Sequence, residues 1–266
     1  MTGRLALITG ASSGIGAAFA RLYASHGYDL WLTARRKDRL DDLATDIRMS
    51  HGVEVSVTAA DLADPKTPDA LLNEIALHGA SVSALVNNAG YGLAGPFSAS
   101  TWEQHQAFLQ VMLTAPIELC HKVLPGMVDA RFGRIVNVAS LAGMVPRGPD
   151  ATLYGATKAF LIRFSQCLHL EVAAAGVHVS ALCPGFTYSE FHDANHTRAQ
   201  ITQSIPSWLW MGADEVAAAG YEAAEANRAI SVPGAPNKAI AALGKLAPDE
   251  WLLALMASQA GRARTV

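Results

Sequence analysis

Tyr154 and Lys158 stand four positions apart, a spacing that on a helix sets one side chain a turn above the other on a single face. A phenol, with an ordinary pKa near 10, is a poor acid or base at neutral pH, but a neighbouring ammonium favours its ionised form and brings it into use. Such a pair can exchange a proton with an oxygen of a bound molecule; the bland alternative is a tyrosine and a lysine on the outer face of an amphipathic helix. A second set is Thr9-Gly10-Ala11-Ser12-Ser13-Gly14-Ile15-Gly16. Its glycines let the backbone turn and approach a pyrophosphate, and the amides of a helix that begins there point at an anion. Alone it could be a glycine-rich turn, but a strand before it and an apolar helix after it (Ile15, Phe19, Leu22, Tyr23) favour dinucleotide binding. His192 and His196, with Glu190 or Asp193 nearby, form the weakest set. A zinc site needs three or four rigidly placed ligands, and a lid-like loop is a poor cage, so no metal is expected.

These residues need a scaffold, and the chain supplies one. Short apolar or β-branched runs recur at Leu5–Thr9, Asp29–Thr33, Val53–Val57, Ala84–Asn87, Arg134–Val138 and Val177–Leu182, with a weaker seventh at Ala229–Val232. Helix-like stretches of ten or more residues separate them, and near-continuous apolar strands alternating with helices indicate a parallel sheet covered on both faces. The expected fold is α/β: a doubly wound Rossmann fold with a mostly parallel sheet of about seven strands. The helix at about Asp38–Ser50 carries Leu40, Leu43 and Ile47 at helical spacing, acids early and Arg48 late, as amphipathicity and the helix dipole favour. No repeat or linker marks a second domain, so 1–266 reads as one domain with a lid at about 186–212 and a helical tail at about 236–260. Pro248 splits that tail into two apolar segments, which are expected to pack on the domain or on another subunit, the low positive charge disfavouring a membrane surface.

Composition narrows the partners. Of the 266 residues, 51% are hydrophobic and 16% charged, which excludes intrinsic disorder. A net charge of -3 provides no basic field to gather phosphates, arguing against nucleic acid or an anionic membrane as the main partner. Three scattered cysteines, Cys120, Cys167 and Cys183, make neither a disulfide framework nor a cysteine zinc site. With no signal-peptide pattern and no uninterrupted apolar run of about 18 residues, no membrane span is expected and a reducing, cytoplasmic location is.

The ordered set of Gly10-x-x-x-Gly14-x-Gly16, Asp61-Leu62, Asn87-Asn88-Ala89-Gly90, Ser140, Tyr154-x-x-x-Lys158 and Pro184-Gly185 resembles the short-chain dehydrogenase/reductase family over essentially the whole chain. The resemblance implies hydride transfer between a nicotinamide and a carbonyl or secondary alcohol. Tyr154 would then be the proton donor, Ser140 the holder of the substrate oxygen, and Lys158 the holder of the nicotinamide ribose. It implies cofactor contacts from the loop residues Gly10, Ser12, Ser13, Gly14, Ile15 and Gly16, and from Asp61 and Leu62 at the adenine. Asn88, Ala89 and Gly90 would line the adenosine ribose, and Pro184, Gly185 and Thr187 or Ser189 would meet the carboxamide.

Where NAD-preferring relatives carry an acid after the second strand, this chain has Thr33-Ala34-Arg35-Arg36. Arg35 suits a 2′-phosphate and Arg36 the adenine face, so NADP(H) is expected over NAD(H), although two arginines opening a charged helix can also be merely solvated. One family member is missing: Val111-Met112-Leu113-Thr114-Ala115 has a thioether where relatives carry a water-holding asparagine. That departure motivates an alternative, a catalytically impaired NADP-binding protein with a regulatory or scaffold role. A sugar-nucleotide epimerase is disfavoured by the glycine spacing and by the lack of a long C-terminal substrate domain. Met144, Val145, Pro146, Phe191 and Trp208-Leu209-Trp210-Met211 suggest an apolar ketone or aldehyde, or else simply pack the lid shut. The resemblance also implies a homodimer or homotetramer, with Phe160, Phe164 and Leu168 as a candidate interface stripe. Gln104 and Gln106 beside His105 read as a solvated helix face.

Overall fold

The computed structural model describes residues 3–93, 95–146, 152–190 and 205–263. Seven parallel strands form the central sheet in the order β3-β2-β1-β4-β5-β6-β9. They are β1 (Leu5–Thr9), β2 (Asp29–Ala34), β3 (Val55–Ala59), β4 (Val82–Asn87), β5 (Gly133–Val138), β6 (Val177–Leu182) and β9 (Ile230–Ser231). The period of two in a strand decides the layering. In β1, Ala6 and Ile8 face a core built with α1 (Gly14–Ser25) and α2 (Lys37–His51), through Phe19, Tyr23, Leu40 and Ile47. Leu5 and Leu7 face the opposite core, with Leu71 of α3 (Thr67–Leu77) and Leu119 and Val123 of α5 (Ala115–Asp129). The long α6 (Thr152–Val172) adds Leu168 and Val172 to that second layer.

Strand positions agree with the sequence pattern to within a residue except at β4, which begins two residues earlier than expected, and β3, which begins two residues later and ends two later. Gly52 ends α2 at φ 67 and its N–H bonds Arg48 O, a left-handed cap that glycine alone adopts without strain. Val53 and Glu54 are then consumed crossing to the sheet, where Leu30 pairs with Val55.

Between α4 (Trp102–Leu109) and α5 the helix widens into a π turn, Gln110–Thr114. Pro116 has no N–H to give the carbonyl four residues back at Met112, and Ala115 N–H reaches Gln110 O instead. The whole stretch Trp102–Asp129 is long and apolar enough to cross a bilayer by length and composition. Its Leu119, Cys120, Val123 and Met127 are nevertheless buried against the sheet.

Two short strands, β7 (Phe186–Thr187) and β8 (Trp210–Met211), pair beside the sheet. Helix α7 (Ala213–Glu225) follows β8, and beyond β9 the chain ends in α8 (Ala235–Leu246) and α9 (Asp249–Ala263), parted at Pro248 as the sequence suggests.

Candidate active site and cofactor groove

Strand order reverses between β1 and β4, and ligands of open α/β sheets bind beyond the strand C-termini at such a point. Here the two strand ends are tied together. The Asn88 amide donates to Thr9 O at 3.0 Å and Gly10 O at 3.1 Å, and the N–H groups of Asn88 and Ala89 both donate to the Thr9 hydroxyl at 3.0 Å. Gly10 and Gly14 have φ of 65 and 55. A Cβ on Gly16 would run into Gly10 O and the Asn88 amide, so the loop can lie this close only with glycine at that position.

A groove of about 820 Å³ opens over this loop. Gly10, Ser12, Ser13, Gly14, Ile15, Arg35, Arg36, Asp61, Leu62, Asn88, Ala89 and Gly90 line it, together with Ser140, Tyr154, Lys158, Pro184, Gly185, Thr187 and Ser189. The residues expected to hold the cofactor or to act on the substrate oxygen all stand on this wall except Gly16, which lies behind it and serves the loop's packing. Asp61 Oδ1 accepts from Ala63 N–H at 3.0 Å, fixing the turn after β3. Tyr91, whose phenol burial pushes up, with the charge of Asp61 adding to it and Arg35 opposing it, was not legible in the sequence.

Ser140 Oγ accepts the Ala142 N–H at 3.1 Å, capping a tight turn at Leu141–Gly143. That turn rests on α6 beside Lys158: a Cβ on Gly143 would meet the Lys158 carbonyl carbon at 2.5 Å and Ala159 N at 2.6 Å. Lys158 is 5% exposed. Its Nζ donates to Val138 O at 2.7 Å and lies 5.7 Å from the Tyr154 ring centroid. Burial pulls the Lys158 ammonium down to about 8, while Cys183 is pushed up to about 12, also by burial. Lysine and tyrosine therefore share one helix face in a partly dehydrated corner, with the Ser140 turn packed against it. Met112, buried in the π turn, turns its sulfur toward Gly90.

The apolar end differs in detail from expectation. Val145, Pro146 and Leu209 line the groove, whereas Met144 packs into a small core with Leu161. Trp208 is 66% exposed and Trp210 stacks on Tyr188. Phe186 of β7, and Ile240 and Met256 from the C-terminal helices, join the lining instead. The tail thus reaches the site, a placement that required long-range packing to be seen. Phe191, His192, Asp193 and His196 lie outside the described residues, and Glu190 is held by Arg36 at 2.7 Å. Gln104 and Gln106 are exposed, as a solvated face requires, but His105 between them turns inward. It is 5% exposed, stacks on Phe97 at 4.5 Å and bonds Phe97 O, while Gln104 closes a capping box with Thr101. The suggested interface stripe is not an exposed one either: Leu168 is buried in the core, Phe164 packs against that core, and Phe160 keeps 43% exposure.

Comparison with known proteins agrees with this geometry. The sequence model described as short chain dehydrogenase matches residues 4–200. Sulfoacetaldehyde reductase 2 of Chromohalobacter salexigens is 35% identical over 189 residues, covering 70% of this chain and 74% of that one. A short-chain dehydrogenase from Sphingobium yanoikuyae, solved in complex with NADPH, superposes with a TM-score of 0.77 at 34% identity, covering 99% of this chain and 96% of that one. A second solved relative, from Burkholderia phymatum in complex with NAD, gives 0.80 at 27% identity over 91% of this chain and 92% of that one. With the reversal of strand order, the glycine-rich loop and the tyrosine–lysine pair in a single groove, the chain belongs to the short-chain dehydrogenase/reductase family of oxidoreductases.

Proposed function

We propose that this protein is an NADP(H)-dependent oxidoreductase that moves hydride between the nicotinamide and a carbonyl or secondary alcohol, with an apolar ketone or aldehyde as the carbonyl partner. The observation that carries the proposal is the meeting of Ser140, Tyr154 and Lys158 with the glycine loop and two arginines on the wall of one groove. The cradle at Gly10 and Gly16, which a single Cβ would fill, fits a pyrophosphate close to the backbone. The Arg35 side chain, exposed and without an ion pair or hydrogen bond among the described residues, suits the 2′-phosphate. Asp61 suits the adenine amine, and Thr187 or Ser189 the carboxamide.

When bound, the nicotinamide supplies or accepts the hydride. The chain does the rest. Ser140 Oγ holds the substrate oxygen, the Tyr154 hydroxyl gives or takes its proton, and Lys158 charges the corner and steadies the ribose. A lysine lowered to about 8 can hold or release a proton near working pH. The lining by Phe186, Val145, Pro146, Leu209, Ile240 and Met256 supports an apolar substrate. The described part of the segment 186–212 supplies Phe186 and Leu209 to this lining, and the tail 236–260 supplies Ile240 and Met256. Both NADPH-bound and NAD-bound relatives superpose on the chain, so the choice of cofactor rests on the arginines. Fluorescence titration of the wild type and Arg35→Ala with NADPH and NADH tests it. NADPH should bind more tightly to the wild type and lose about 10- to 150-fold in the variant, the value of a charge-assisted contact of roughly 1.5–3 kcal/mol, with NADH nearly unmoved. Equal losses for both cofactors would make Arg35 structural.

A further inference from the structure

Arg36 and Glu190 are 154 positions apart in sequence, yet Arg36 Nη1 donates to Glu190 Oε2 at 2.7 Å. The other end of the same guanidinium donates to the hydroxyls of Ser12 and Ser13, both at 3.0 Å. Arg39 approaches the second Glu190 oxygen at 3.8 Å, and Ser189 comes so near the loop that a Cβ on Gly14 would stand 2.8 Å from its Cβ. Two cations and two hydroxyls beside a glycine-rich turn make a receptor for an anion. The anion this receptor holds in the structure is the chain's own Glu190 carboxylate. Arg35, next in sequence and on the same groove wall, holds no such partner among the described residues.

We propose that Glu190 is a built-in competitor for the 2′-phosphate of the cofactor and so sets the protein's affinity for NADP(H) relative to NAD(H). This inference rests on the NADP(H) reading above. A 2′-phosphate carries close to two negative charges against the carboxylate's one, and it brings to the arginines the same geometry of paired oxygens. It engages Arg35 directly and draws Arg36 away from Glu190. A 2′-hydroxyl carries no charge and leaves the Arg36–Glu190 pair in place. Part of the phosphate's attraction is therefore spent on breaking an existing pair, and Glu190 acts as a specificity-determining residue although it need not touch the bound cofactor. The neighbouring charges on the receptor are Arg36, Arg39 and Glu190 themselves; Lys37 is taken by Asp41 at 2.7 Å.

The test is the dissociation constant of NADPH and of NADH, measured by nicotinamide fluorescence, for the wild type, Glu190→Gln, Arg36→Gln and the double variant. Both side chains are well exposed, at 45% and 38%, so all four proteins should fold. Glu190→Gln should raise the NADPH-to-NADH affinity ratio about three- to fivefold, the scale of one exposed ion pair. In the Arg36→Gln background the same change should move the ratio by less than about 1.5-fold, because the competed partner is gone. A rise of less than about twofold for Glu190→Gln, or a full effect that persists without Arg36, overturns the inference while leaving the cofactor assignment standing. A wild type that shows no preference for NADPH overturns both together.

Discussion

The chemistry proposed for Tyr154 and Lys158 makes a separable prediction for each residue. Tyr154→Phe removes only the hydroxyl, so turnover should fall by about 10²–10⁴. Lys158 is held below the ordinary lysine range, at about 8, by its burial. Between about 8 and 10.5 the unfolded chain therefore binds more protons than the folded one, and stability rises with pH across that window; below it the cost of the buried ammonium is fully present. Lys158→Met should then melt no lower than the wild type at pH 7, with a gain of at most about 3 kcal/mol. The gain should shrink as pH rises through 8 to 10.5, while activity is lost throughout. Thermal melts across pH, set beside turnover, check this; a variant that melts well below the wild type at pH 7 would mean that the hydrogen bond to Val138 O outweighs the desolvation. Met112→Asn is the third test at this scale. If a water held at this place limits proton flow, kcat should rise and its pH profile should shift, with some loss of stability from an amide placed where Met112 is now 1% exposed. A folded variant with unchanged kcat and pH profile would show that protons leave the Tyr154–Lys158 pair by another route.

At the scale of elements, the Ser140 turn packs directly on α6, and Gly143 is the point of closest approach. Its missing side chain lets the turn lie on the backbone at Lys158 and Ala159. Gly143→Ala should push Ser140 away from Tyr154, lowering kcat at least about tenfold with cofactor affinity nearly unchanged, at a packing cost of about 1–3 kcal/mol. Steady-state kinetics beside a cofactor titration would show this, and equal losses in both would mean that the whole groove had shifted. The strands were legible because buried parallel strands read as apolar runs: β1 and β6 fall where Leu5–Thr9 and Val177–Leu182 suggest. Other features depend on contacts distant in sequence. The delay of β3 is set by a left-handed glycine, the π turn by a proline one helical turn beyond Met112, and the inward ring of His105 by its stacking on Phe97.

At the scale of the whole molecule, a sheet buried on both faces fixes β1, β4, β5 and β6, and their C-terminal ends bring residues as distant as Gly10, Asn88, Ser140 and Gly185 to one groove. The order of motifs revealed that convergence in the sequence. The closing side, with Ile240, Met256 and the Arg36–Glu190 pair, was hidden because side chains meeting across some 150 residues leave no periodic trace. Since ligand binding stabilises the folded state by mass action, NADPH at 100 times its dissociation constant should add about 2.7 kcal/mol, a rise of roughly 5–10 °C in Tm. NADH at the same concentration should give a smaller rise. The most direct measurement of the central claim is NADPH oxidation against a panel of aromatic and aliphatic ketones and aldehydes. It is made on the wild type and on Tyr154→Phe, after both are shown to bind NADPH. The account predicts turnover by the wild type with apolar members of the panel and a loss of about 10²–10⁴ in the variant at nearly unchanged NADPH affinity. Turnover by Tyr154→Phe within about threefold of the wild type, or a wild type that binds NADPH yet reduces no carbonyl, would contradict it.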